Sequence, residues 1–169
     1  MNNNRATIAT VLFLLVAPGV VAGVVPWLIT DWRMPDMAPY LVGLLVGLGG
    51  FVVFIGIVLL LDCFIRFVRE GNGTPMPWMP TEGMIASGPY RYVRNPMYVA
   101  VVAIVLGQAI LFWNLPLLGY AAGLWIVFHF FVLLVEEPGL RRSYGPAFEA
   151  YADAVPRWIP RVPPPASSA

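Results

Sequence analysis

Two adjacent carboxylates, Glu136 and Glu137, stand at the end of an apolar run and directly before Pro138. Proline disfavours helical geometry in the residue before it, so the pair is expected to close a helix. A helix C-terminus carries partial negative charge, which two carboxylates oppose while also repelling each other. Ordinary sequences place Lys or Arg there. One resolution is a solvated helix end whose acids pair with Arg141 or Arg142. The other is a cationic ligand, which removes the conflict altogether, and the weight falls on that reading.

His129 is the sole histidine and precedes Glu136 by seven residues, two helical turns, so the spacing puts both on one face. It would lie about 10 Å deeper along the helix. An ionisable group at such depth faces a bundle interior or a site. A neutral imidazole bonded to a neighbouring helix accounts for it equally well. Arg91 and Arg94, three apart, precede Pro96. They suit a guanidinium fork for a carboxylate or phosphate, but spacing alone favours plain anchors at a membrane edge. Asn95 is expected to cap the helix that Pro96 opens. Asp62 and Arg66 are spaced for an intrahelical pair.

These residues need a membrane to position them. Of 169 residues 59% are hydrophobic and 11% charged, too few charges to cover a soluble domain. The expected fold is an all-α polytopic membrane bundle of about four transmembrane helices. Apolar stretches cover residues 6–29, 40–67, 97–113 and 115–135, each near the roughly 20 residues that cross a bilayer. The third is the shortest. The last two must form a hairpin turning at Asn114-Leu115-Pro116. The first has the flanks of a signal peptide, but its apolar run continues through Val25 and Trp27 and favours a retained span. Gly43, Gly47, Gly49, Gly50 and Gly56 read as close-packing positions between helices.

All ten basic residues are arginines. With four spans, Arg33 alone falls on one side. Arg5, the 66–94 loop and the tail then hold the rest, which places both termini and the long loop in the cytoplasm. A multi-pass protein of a bacterial inner membrane, its site facing the cytoplasm, is the expectation. The net charge of +1 offers no surface for nucleic acid. A single cysteine, Cys63, excludes an internal disulfide and a Cys-based zinc cluster, and no metal is expected. Its simplest reading is a small buried hydrophobe. After Glu137, the positions Leu140, Tyr144, Phe148, Tyr151 and Val155 recur every three or four residues, with Gly145-Pro146 interrupting them. They suggest two short interfacial helices, a lid or an anchor. Residues 1–161 form one domain and 162–169, rich in Pro, Ser and Ala, a disordered tail.

Three segments occur in a telling order: Gly88-Pro89-Tyr90-Arg91-Tyr92-Val93-Arg94-Asn95-Pro96-Met97-Tyr98, then Glu136-Glu137-Pro138, then Val155-Pro156-Arg157-Trp158-Ile159-Pro160-Arg161. Together they resemble the superfamily of isoprenylcysteine carboxyl methyltransferases and phospholipid methyltransferases, over residues 71–161. The resemblance implies S-adenosylmethionine as methyl donor. It implies cofactor-binding roles for Tyr90, Arg94, Asn95, Pro96, Tyr98, Glu136 and Glu137, with Gly71 and Gly73 as a weaker glycine pair. The acidic pair would receive the donor's ammonium. His129 and Arg157 are the candidate catalytic residues, His129 as base for an amine or phenol acceptor. One departure stands out: the family's Arg-His-Pro step is Arg94-Asn95-Pro96 here, so no imidazole acts there.

The expected function is methyl transfer to a lipophilic acceptor entering from the bilayer, nearest the isoprenylcysteine carboxyl branch. A phospholipid amine or a membrane-soluble phenolic or polyketide lipid is the alternative acceptor. A small membrane subunit or transporter is the alternative class, although the broken midplane helices of a transporter are not evident.

Overall fold

A computed structural model of the chain describes residues 16–70 and 85–161, apart from the side chains at 68 and 70. The expectations for Arg5, Gly71, Gly73 and the 162–169 tail lie outside the described residues. The described part is all helical. Helix α1 covers Val16–Thr30 and includes a π turn over Val20–Val24. Helix α2 is Pro39–Glu70, α3 is Pro96–Leu111 and α4 is Leu115–Phe131. A second π turn, Val132–Glu136, leads into α5, Glu137–Tyr144, and then α6, Pro146–Ala154. Among the described residues, two helices are long and apolar enough to cross a membrane: Pro39–Phe67 and the continuous Leu115–Tyr144. Helix α3 has 16 residues, about 24 Å at the α-helical rise. The α3–α4 turn falls where the sequence put it, with Asn114 Oδ1 accepting from the Leu117 N–H at 2.8 Å.

The acidic step does not end its helix. Helical backbone runs through Glu136-Glu137-Pro138 to Tyr144, so the expected conflict between carboxylates and a helix C-terminus is absent. Proline within a helix removes a donor and crowds the carbonyl four residues back. A π turn, which bonds i to i+5, widens the helix at that point. Both π turns here end two residues before a proline, at Val24 ahead of Pro26 and at Glu136 ahead of Pro138. The turn also alters phase. One inserted residue swings later side chains by about 100°, which takes Glu136 off the line of His129.

Pro26 leaves the carbonyls of Ala22 and Val21, its α and π partners, without their helical donor. Gln108 Nε2 donates to Ala22 O at 2.7 Å, and the Tyr120 hydroxyl donates to Val21 O at 2.9 Å. Helix α1 is thereby fixed to α3 and α4 by the groups its own proline left open. No water in a bilayer core can do this, so the donors must come from neighbouring helices.

Helices α2 and α3 make the most extensive contact. A Cβ at Gly49 would meet Gly107 O at 2.6 Å, and one at Gly107 would meet Gly49 O at 2.8 Å. One at Gly56 would meet Ile104 Cγ1 at 2.7 Å. Small residues permit this approach, and dispersion across it holds the pair together. Gly43, Gly47 and Gly50 were expected to serve likewise, yet a Cβ at each would meet nothing within 4 Å. Leu60, Phe64, Ala100, Val101 and Ile104 form the core beside this seam, while Leu44, Phe51, Phe54, Leu118 and Leu134 are exposed. Apolar side chains outside and small or polar ones inside suit a lipid solvent.

Gly49→Ala and Gly107→Ala should each destabilise the chain by about 1–3 kcal/mol, because backbone rather than a mobile side chain must yield. Gly47→Ala should be neutral or nearly so. Thermal unfolding in one detergent checks the contrast.

Candidate functional site

The site forms where the entry to α3, the α4–α5 junction and the irregular segment 155–161 converge. Gly88–Arg91 is a short 3₁₀ turn, and Pro96 is fully buried in the first turn of α3, as expected. After α6 the chain turns back along the 92–95 stretch. Arg94 N–H donates to Pro156 O at 2.8 Å, and Arg161 N–H to Tyr92 O at 2.9 Å. Asn95 does not cap α3 with its side chain. Its amide donates instead to Arg157 O at 3.1 Å, because the returning segment offers a carbonyl beside it. This strap carries Arg157 and Trp158 into the bundle.

Glu137 is 6% exposed and bound on both oxygens. Arg157 holds it as a fork, Nε to Oε1 at 2.6 Å and Nη2 to Oε2 at 3.0 Å. Arg94 Nη1 adds a third contact at 3.2 Å. Neither Arg141 nor Arg142 is its partner. Arg141 pairs with Glu149 at 3.0 Å, and Arg142 Nε donates to Pro138 O. Burial lowers the pKa of Arg94 against the opposing pull of Glu137. The hydrogen bond to Glu137 raises that of Arg157. Two guanidiniums against one carboxylate leave this triad one positive charge. Arg94 Nε is buried and lacks an acceptor among the described residues.

Glu136 is held differently. One oxygen accepts from the Tyr98 hydroxyl at 2.8 Å, and no guanidinium neutralises it among the described residues. Tyr98 packs on Phe128 and faces Trp158, with centroids 4.7 and 6.5 Å away. Trp158 Nε1 donates to His129 Nδ1 at 3.0 Å, and Trp125 stacks on His129 at 5.3 Å. With Nδ1 accepting, the neutral imidazole carries its proton on Nε2. Glu136 and His129 therefore flank one aromatic cluster without touching. Glu136, with no guanidinium against it among the described residues, and the net positive triad adjoin through the Glu136-Glu137 step.

The profile described as phospholipid methyltransferase matches residues 40–147, well over half of the chain. The chain belongs to the phospholipid methyltransferase family. A phosphatidylethanolamine N-methyltransferase of Phaeosphaeria nodorum is 38% identical over 66 residues, which is 39% of this chain and 7% of that protein. The match thus spans a small part of that relative's length. The family named is the phospholipid branch of the resemblance, rather than the isoprenylcysteine carboxyl branch that the sequence reading put first.

Within this member of the family the expected residues divide. Arg94, Asn95, Tyr98, Glu136, Glu137 and Arg157 come together. His129 joins them through Trp158. Tyr90 is buried against Cys63 and Ile85 in a separate small core, where burial raises its pKa well above the usual phenol value. Its carbonyl accepts from the Tyr151 hydroxyl at 2.7 Å, which docks α6. Arg91 and Arg94 form no common fork, since Arg94 turns inward and Arg91 stays exposed. The sequence reading overlooked Gln108 and Tyr120. A proline inside an apolar helix was the available signal, because its orphaned carbonyls require donors elsewhere.

Glu137→Ala removes the only described acid from two inward guanidiniums and should cost about 3 kcal/mol, the scale for breaking a buried pair. It should also release the strap. Amide exchange at Arg94 and Arg161 should accelerate, whereas Glu149→Ala, which removes an exposed pair, should leave both amides protected.

Proposed function

We propose that the chain is an S-adenosylmethionine-dependent methyltransferase whose acceptor is the amine of a phospholipid. The observation that carries this is the unequal treatment of the two carboxylates. Glu137 is fully engaged by Arg94 and Arg157, while Glu136 meets only the Tyr98 hydroxyl and Arg94 Nε has no acceptor among the described residues. The amino-acid end of the donor carries one carboxylate and one ammonium. Arg94 is suited to the carboxylate and Glu136 to the ammonium, so the residues present fit the group. Glu137 and Arg157 act as positioning residues that hold Arg94 and the strap. The acidic pair thus divides its labour rather than jointly receiving the ammonium.

S-adenosylmethionine supplies a methyl already activated on a sulfonium. The protein's task is then alignment of an attacking atom, which contributes through proximity more than through acid–base chemistry. A carboxylate acceptor is ionised near neutral pH and needs no base. A lipid ammonium must first lose a proton. His129 is the candidate to take it at Nδ1, and that requires the Trp158 indole N–H to turn away first. The family match and the printed activity of the relative support a phospholipid amine over a prenylated carboxylate. We place the chain in the membrane as four spans, both termini and the site on the cytoplasmic side, with the acceptor reaching the site laterally from the bilayer. Arginine asymmetry and the two long apolar helices support that topology.

Donor affinity and acceptor choice test the reading separately. Glu136→Gln should weaken S-adenosylhomocysteine binding at least tenfold by calorimetry while leaving the melting temperature close to wild type. Tyr98→Phe should give a smaller loss, since it unties Glu136 without removing its charge. Offered phosphatidylethanolamine or a prenylated cysteine in mixed micelles, the wild type should methylate only the amine, read by mass spectrometry. Methyl ester on the prenylated cysteine with no amine product would reverse the choice of branch.

A further inference from the structure

The 91–95 stretch and the strap each carry two arginines, one turned in and one left out. Arg94 and Arg157 are the inner pair on Glu137. Arg91 and Arg161 are the outer pair, and both are exposed. The Arg161 N–H bond to Tyr92 O at 2.9 Å sets them on neighbouring backbone, although 70 positions separate them in sequence. Arg66, Arg94, Arg141 and Arg157 each sit against a carboxylate. Arg91 and Arg161 have none among the described residues. Two exposed guanidiniums on neighbouring backbone, neither held by a described acid, leave an anion outside the chain as the natural partner. The apolar neighbours narrow its identity. Ile159, two residues from Arg161, is 80% exposed, and Tyr92, next to Arg91, is 43% exposed. Cations beside exposed apolar side chains match a lipid interface, where apolar groups sink between acyl chains and guanidiniums meet phosphates.

We infer that Arg91 and Arg161, with Tyr92 and Ile159, form a surface that rests on anionic phospholipid headgroups of the adjacent leaflet and so holds the strap closed. The strap carries Arg157 to Glu137 and Trp158 to His129. Headgroup contact at its outer end is therefore linked to the geometry of Arg94 and of the aromatic cluster. Linkage is reciprocal, so a closed strap that favours donor binding is also favoured by it. The inference rests on the proposed donor site only for its binding readout. The strap contact itself stands on the arginine placement.

The test uses the purified full chain in phosphatidylcholine vesicles with and without phosphatidylglycerol. Phosphatidylglycerol should slow exchange of the Arg161 amide and tighten S-adenosylhomocysteine binding, by up to about fivefold for each arginine. The gain should shrink at high salt, and inorganic phosphate should not replace the lipid. Arg91→Gln with Arg161→Gln should lose the gain and bind as wild type does in phosphatidylcholine alone. The corresponding double Lys variant should keep the gain, which separates charge from a folding defect. Equal protection of Arg161 in both vesicles, or a gain that survives the double Gln change, overturns the inference. If S-adenosylhomocysteine binds in neither vesicle while Arg161 protection still follows phosphatidylglycerol, the methyltransferase reading fails and the strap contact holds.

Discussion

A carboxylate shielded from water in an apolar protein must be met by opposite charge, and in this chain that carboxylate is Glu137. Taking an ion out of water costs several kcal/mol unless good geometry and several hydrogen bonds compensate. The compensation comes from two places distant in sequence. Arg94 arrives from the entry to α3 and Arg157 from the segment after α6. Meeting Glu137 obliges the C-terminal segment to turn back across the bundle. Once there, its backbone finds partners in Arg94, Tyr92 and the Asn95 amide, and its indole reaches His129. The strap, the aromatic cluster and the setting of Glu136 all follow from this one buried charge.

Proline shapes the scaffold in the same spirit. Pro26 and Pro138 each lie inside a helix, and each is preceded by a π turn that opens the backbone. At Pro26 the freed carbonyls become the sites where α3 and α4 attach, through Gln108 and Tyr120. Near Pro138 the extra residue resets the phase of the helix just before the acidic pair. Adjacent glutamates then serve different partners. One answers to guanidiniums, the other to a phenol.

Membership of the phospholipid methyltransferase family supplies the context for the donor role proposed for Glu136. A zwitterionic donor end needs opposite charges held a fixed distance apart by groups that do not collapse onto each other. Glu137 prevents such a collapse. By occupying Arg157 and part of Arg94 it leaves one N–H of Arg94 over, and Tyr98 steadies Glu136 on the other side. On the proposed reading, sulfonium methyl transfer asks little more of the protein than this, besides a dry route for the acceptor.

The sequence by itself determined the helical class of the fold and named most of the residues that converge around the acidic step. Apolar stretches of bilayer length, the Asn114 turn, the Asp62–Arg66 pair at 3.0 Å and the helices broken at Gly145 all follow from local rules of hydropathy, capping and spacing. The adjacent carboxylates before a proline are as legible, although the helix continues past Pro138 and the expected conflict at a helix end does not arise. Partner choice was decided only by tertiary structure. Arg157 rather than Arg141 binds Glu137, Asn95 serves the strap rather than its own helix, and Gly49 rather than Gly47 lines the α2–α3 seam. Each of these depends on which distant segment arrives at a given face. Local propensity is silent on that, since a buried charge or an orphaned carbonyl accepts any donor the fold can bring within about 3 Å.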